Sequence, residues 1–258
     1  MPPQSPPRLY NAPSSYYSMI ARLALVEAKV PFTSVKLDIH RRREQLSPAY
    51  ARLNPNMTVP TLELADRVLT DSRDITLHAF PGATDDASTR WLDRHYDFSI
   101  EELTFGWMLL RNRLARWVVP RQLASIEGRL REYANANPDL SERYLRRAEV
   151  FAERRRTFDP AAASTLYAMR MREARERLDE LDDALADERE VLVGGVYGPA
   201  DVVWTVFLAR IRFIGEGDEI ERRPALSRWA RAVFGRASFR EADVWARLAP
   251  LKLLAQIL

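Results

Sequence analysis

The chain contains no cysteine. That absence excludes a disulfide scaffold, a zinc–thiolate centre and any mechanism that uses a thiol of the protein itself. Histidine is scarce as well. His40, His78 and His95 stand far apart, form no pair at metal-ligand spacing, and give no reason to expect a metal. Glycine is low at 9 residues, and four of the 16 prolines fall within the first seven positions, so residues 1–7 read as an extended lead-in. That opening has neither the basic start nor the apolar centre of a secretory signal. No apolar run approaches the roughly 20 residues that span a bilayer. The apolar tail "LAPLKLLAQIL" is short and carries Lys252, so packing against the body is expected. The expectation is a soluble, cytoplasmic protein with no membrane partner.

What is present is ordinary for a globular chain: 258 residues, 47% hydrophobic and 29% charged, with a net charge of +3. Arginine greatly outnumbers lysine, and two stretches look basic, "HRRRE" at 40–44 and "RYLRRAEVFAERRR" at 143–156. The second is interleaved with acids, as a solvated helical face would be, so nucleic-acid binding is not expected.

The chain changes character near residue 83. Before it, strand-like and helical runs alternate: "RLYNA" (8–12), "SYYSMIARLALVEAKV" (15–30), "FTSVKLDI" (32–39), "SPAYARL" (47–53), then a hairpin pair "VPTLEL" and "RVLTD", then "SRDITLHAF". This is β-α-β-α-β-β-α within about eighty residues, an α/β unit over 8–82. The composition of 81–89 marks a connection, with the inter-domain linker taken as 83–89. Residues 90–258 read as an all-helical domain in which only "EVLVGG" suggests a strand. Its helices break at "NANPDLS" and "FDPAAAS", and "ADVVWTVFLARIRFIG", apolar nearly all round, is its expected buried helix.

Within the first part, "NPNMTVPTLELADRVLTDSRDI" (54–75) puts a proline between two strand-like runs, where a residue without an N–H should be excluded. The segment resembles the glutathione transferase superfamily: "NPNMTVPTLEL" is similar to its Asn-Pro-x-Gly-x-Val-Pro-x-Leu signature and "LTDSRDI" to its Leu-x-Glu/Asp-Ser-x-x-Ile. "LVGGVYGPADV" and "RRPALSRWARAVFGRASFREA" resemble two later motifs of that family, in family order. Met57 departs from the signature by standing at its glycine, and Gly198 replaces the usual capping hydroxyl ahead of Asp201. The helical domain also looks longer than usual, with an insertion near 125–165.

The resemblance implies a thioredoxin-like domain followed by an all-α domain, glutathione as co-substrate, a small hydrophobic electrophile as second ligand, and a homodimer. It implies a cis Pro60 that turns the backbone of Val59 outward to pair with the cysteinyl backbone of glutathione. Asp71 and Ser72 would hold the γ-glutamyl end, although either could simply cap a helix. Gln45 matches the position that meets the glycine carboxylate, with Arg41, Arg42 or Arg43 able to add charge. Since the chain has no thiol, the nucleophile must be the glutathione thiolate, stabilised by a hydroxyl at the start of the first helix. Ser14, Ser15, Tyr16, Tyr17 and Ser18 crowd that place. Alignment on "ARLAL" puts Ser15 at the catalytic hydroxyl of serine-type members, with Tyr17 and Ser18 as runners-up and Ser14 as a candidate cap. Trp107, Met108, Arg111 and Arg113 are candidate walls for the electrophile. The rival reading is a transferase-like binding or interaction protein without catalysis.

Overall fold

The computed structural model describes residues 6–83 and 85–246. The apolar tail at 248–258, expected to pack against the body, lies outside the described residues. No described helix is long and apolar enough to cross a membrane.

Two compact units interleave along the chain. The first comprises residues 1–45, 58–97 and 177–258, and the second 46–57 and 98–176. The sheet of the first unit runs in the order β2-β1-β3-β4, built from β1 (Arg8–Asn11), β2 (Thr33–Lys36), β3 (Thr61–Glu63) and β4 (Val68–Leu69). β1 pairs with β2 in parallel, and the helix α1 (Tyr16–Glu27) makes the crossover that a parallel pair requires. β1 and β3 are antiparallel, setting Arg8 opposite Glu63 as a cross-strand pair of opposite charge. Tyr10 also gives its phenol proton to Glu63 at 2.8 Å, in keeping with a packing role for that tyrosine.

Helix starts follow side-chain caps. Ser15 caps α1, Ser47 caps α2 (Pro48–Leu53) with Pro48 in its first turn, and Asp71 caps α3 (Ser72–Ala79). Asp85 caps α4 (Asp86–Tyr96), so this helix opens inside the stretch whose composition reads as a connection. α1 is buried from Ser18 to Leu25 and packs against α3 and against the later helices α9 (Pro199–Phe213) and α12 (Ala237–Glu241). α9 is buried on every face from Pro199 to Ile211, as its apolar sequence requires. It starts where the Asp201 carboxylate accepts the N–H groups of Gly198 (2.9 Å) and Leu192 (2.8 Å). That second bond, with Gly194 at φ +69°, folds 190–195 into turns, so the strand suggested by "EVLVGG" is not formed.

The second unit holds α2, α5 (Ile100–Arg111), α6 (Arg113–Ala136) and α7 (Ser141–Thr157), while α8 (Ala163–Ala184) begins in it and ends in the first unit. α6 and α7 form a helical hairpin broken at Asn137, as "NANPDLS" leads one to expect. Pro120 lies inside α6, and the break between α5 and α6 falls at Asn112, whose side chain caps α6 by accepting from Leu114 and Ala115. Three of the six arginines on α7 pair with acids: Arg146 with Glu142, Arg154 with Glu101, Arg155 with Glu127.

Met57, the departure from the signature, adopts φ +50°, the left-handed conformation that glycine takes freely. Its side chain is fully buried in a cluster with Leu46, Ala51 and Leu109. The backbone turn survives through Met57 N–H to Asn54 C=O at 2.9 Å and Asn56 N–H to the Asn54 side chain at 2.9 Å. Left-handed strain costs about 1–2 kcal/mol, whereas truncating a buried methionine costs about 2–5 kcal/mol. Burial wins. Met57→Gly is therefore expected to lower unfolding free energy by about 1–3 kcal/mol in a urea titration; a more stable glycine variant would show that strain dominates.

Candidate functional site

The sequence-predicted residues of the glutathione seat, Ser15, Gln45, Val59, Pro60, Asp71 and Ser72, all belong to the first unit. The peptide bond between Val59 and Pro60 is cis. Among the described residues neither the N–H nor the C=O of Val59 pairs with other backbone, which leaves both available to an extended peptide.

The crowded hydroxyls before α1 are sorted by their hydrogen bonds. Ser14 Oγ meets His40 Nε2 at 2.9 Å. Burial lowers the His40 pKa, partly opposed by Asp38. Ser18 is fully buried and accepts the Ala12 N–H at 3.2 Å. Ser15, half-buried, is the residue that caps α1: its Oγ accepts the Ser18 N–H at 3.3 Å. Accepting that bond leaves its own proton to give elsewhere, beside the positive end of the helix. The cap of α1, for which Ser14 was a candidate, is made by Ser15.

Tyr16 turns inward. Its hydroxyl meets His95 Nε2 at 2.7 Å and the rings stack at 5.9 Å, with the Arg210 guanidinium over the Tyr16 face. Burial raises the Tyr16 pKa well above its usual value. His95 is pushed down to about 3, chiefly by burial and further by the nearby Arg177. A depressed histidine contributes stability that is present above its unfolded value and lost as pH falls toward its folded one. With an unfolded pKa near ~6.5, the loss between pH 7.5 and pH 5 is about 2 kcal/mol. His95→Gln, which cannot titrate, is expected to remove that share of the slope when unfolding free energy is measured at both pH values; equal slopes would contradict a buried neutral imidazole.

At the other end of the seat, Asp71 caps α3 through Oδ1, which accepts the Arg73 N–H at 2.7 Å, and the residue itself is exposed. Ser72 opens α3 and is only 2% exposed. Its Oγ lies 3.0 Å from the Tyr96 hydroxyl, a partner that the sequence reading missed. The aromatic residues closing α4 were a visible signal, but only the fold brings Tyr96 to Ser72. Gln45 is half-buried; its Nε2 reaches the Ile39 C=O at 3.4 Å, and its Oε1 has no partner among the described residues.

Trp107, Met108 and Arg111 lie on α5, in the second unit. Met108 packs against the buried cluster of that unit, Trp107 is half-buried, and Arg111 and Arg113 are exposed.

Residues 14–79 match the family profile for the glutathione S-transferase N-terminal domain. The chain is 32% identical over 248 residues to the tetrachloro-p-hydroquinone reductive dehalogenase of Sphingobium chlorophenolicum, covering 92% of this chain and 95% of that protein. Among solved structures it resembles the β-etherase LigF from Sphingobium sp. strain SYK-6, at 18% identity and a TM-score of 0.64 over 92% of this chain and 98% of the other. It also resembles Ure2p in complex with glutathione, at 16% identity and a TM-score of 0.64 over 93% and 99%. The chain belongs to the glutathione transferase superfamily, with the thioredoxin-like and helical parts of that fold.

Proposed function

We propose that the protein is a serine-type glutathione transferase that turns the glutathione thiol into a nucleophile for attack on a small hydrophobic electrophile. In this reading Ser15 donates its hydroxyl proton as a hydrogen bond to the thiolate. Val59 pairs with the cysteinyl backbone, Asp71 and Ser72 take the γ-glutamyl amino and carboxylate groups, and Gln45 takes the glycine carboxylate. The observation that carries it is a hydroxyl that caps α1 and gives its proton to no acceptor among the described residues, in a chain that has no thiol of its own.

The chemistry proposed is displacement. The thiolate sulfur forms a bond to the electrophilic carbon, and the leaving group departs with its electron pair, as halide, phenolate or alkoxide. The 32% identical relative is named a reductive dehalogenase and a structural neighbour a β-etherase, which supports a carbon bearing such a leaving group. With no cysteine in the chain, a glutathionyl product cannot be resolved by a protein thiol. It leaves as the thioether, or a second glutathione thiolate attacks its sulfur, which forms glutathione disulfide and leaves the carbon with the electron pair of the broken bond to take up a proton. Trp107, Met108 and Arg111 are proposed as electrophile contacts, and a cytoplasmic homodimer as the working form.

The test is retention on immobilised glutathione together with turnover of a chloronitrobenzene. Retention and thioether formation are expected. No retention and no turnover would overturn the reading, and retention without turnover of any halogenated or aryl-ether substrate would favour a binding protein.

A further inference from the structure

Ser72 carries one proton and two lone pairs, and its only side-chain partner among the described residues is Tyr96 at 3.0 Å. Which atom donates decides what Ser72 can do for a ligand. If the serine donated to the phenol, its proton would be spent and a carboxylate would meet only lone pairs. If the phenol donates, the serine proton stays free for an incoming anion.

Two features favour the second arrangement. A phenol is a far stronger acid than an aliphatic alcohol, so it is the better donor of the two. Burial also raises the Tyr96 pKa above its usual value, which keeps that proton in place throughout the working range. The ring is held in position as well. His95 meets it edge-on at 4.7 Å and 85°, Tyr17 lies nearly parallel at 6.4 Å, and the Arg73 guanidinium sits over it at 5.9 Å while pairing with Asp93. A ring gripped on these sides cannot swing its hydroxyl away from Ser72.

From this geometry we infer that Tyr96 is a positioning residue for anion binding at the start of α3: its hydroxyl donates to Ser72 Oγ and so aims the serine proton at the ligand carboxylate. The inference deepens the glutathione reading and rests on it, since the carboxylate concerned is that of the γ-glutamyl moiety. The Tyr17 ring packed beside Tyr96 stands two residues after Ser15, so the two ends of the seat share one aromatic wall.

The experiment compares wild type, Tyr96→Phe, Ser72→Ala and the double variant by calorimetric titration with glutathione. It adds competition by cysteinylglycine, which lacks the γ-glutamyl group. Tyr96→Phe keeps the ring packing and removes only the hydroxyl, and thermal melts verify that each variant is folded. The expected result is a dissociation constant raised about fivefold in Tyr96→Phe and about tenfold or more in Ser72→Ala. The double variant should match Ser72→Ala alone, because the phenol acts through the serine. Cysteinylglycine affinity should stay within twofold of wild type throughout, which a general loosening of the fold would not produce. Wild-type affinity in Tyr96→Phe, or a double variant that loses the full sum of both singles, overturns the positioning role while leaving the glutathione reading standing. A wild type that binds no glutathione overturns that reading and this inference together.

Discussion

Replacing Ser15 with alanine is expected to lower kcat/KM for glutathione conjugation by about 10²–10³-fold, the usual effect of removing one donor from a developing or resting anion. The free thiol titrates near ~8.5 and is mostly protonated at neutral pH. A hydroxyl donor at the positive end of α1 stabilises the thiolate, so its loss should also move the activity profile toward higher pH. The kinetic effect must be separated from a structural one. Ser15 caps α1 by accepting the Ser18 N–H, and losing such a cap costs about 1 kcal/mol of stability. That is a few degrees in Tm, too little to imitate a hundredfold loss of rate at a temperature where the variant is folded. Ser15→Thr, which keeps both the hydroxyl and the cap, is expected to retain most activity. Tyr17→Phe and Ser18→Ala supply the contrast: Ser18 is fully buried with its oxygen on Ala12, so its loss should appear as lower stability rather than a shifted pH profile. If Ser15→Ala works like wild type while Tyr17→Phe loses activity, the hydroxyl has been assigned to the wrong residue.

The largest stability effect should come from Arg22. This buried guanidinium makes five hydrogen bonds, to Asn11 Oδ1 and to the carbonyls of Ala12, Pro13, Ala242 and Asp243, at 2.7–3.3 Å. Burial pulls its pKa down to about 10, against the favourable field of Asp243, so it remains charged at neutral pH. Its acceptors come from two places, the end of β1 with the loop that leads to Ser15, and the turn that follows α12. One side chain thus ties the loop before α1 to the turn after α12. Arg22→Ala would leave several of these acceptors buried without donors, each costing about 1–3 kcal/mol before water enters the gap. A net loss of about 3–5 kcal/mol is expected, about 10 °C in Tm. Arg22→Lys should recover less than half of it, because a compact ammonium cannot span acceptors that a planar fork reaches together. Loss of activity at temperatures where the variant is still folded would follow from release of Ala12 and Pro13. A variant that melts within 3 °C of wild type, on the order of 1 kcal/mol, would contradict this account.

How far the sequence spoke for itself differs from element to element. The strand and helix order of the α/β part could be read because each start carries a local cause: Ser47 ahead of Pro48, Asp71 ahead of α3, and the alternating residue types of "FTSVKLDI" around β2. The buried α9 was equally plain from its all-round apolar surface. What failed locally failed for tertiary reasons. "EVLVGG" has strand composition, but Asp201 takes the Leu192 N–H that a ladder would need. A proline inside a helix removes a hydrogen bond and favours a break, yet α6 runs through Pro120, and the chain breaks instead at Asn112, between α5 and α6. Met57 looks wrong for a left-handed turn until its side chain is seen to be wholly buried. Within the candidate site, the resemblance pointed to Ser15, Val59, Asp71 and Ser72, each carried by local sequence. Tyr96 was illegible because its meaning is a contact across 24 residues that no spacing rule encodes. The sorting of Ser14, Ser15 and Ser18 likewise depends on His40 and Ala12, partners visible only once the loop is folded.

In the proposed mechanism Ser15, at the head of α1, holds glutathione as its thiolate. Ultraviolet thiolate absorbance of glutathione bound to wild type and to Ser15→Ala, followed as a pH titration, tests it most directly. In wild type the bound thiol should ionise at least one pH unit below the free value of ~8.5, and in the alanine variant it should return toward that value. A bound thiol that titrates like free glutathione in wild type, or identically in both proteins, would contradict it.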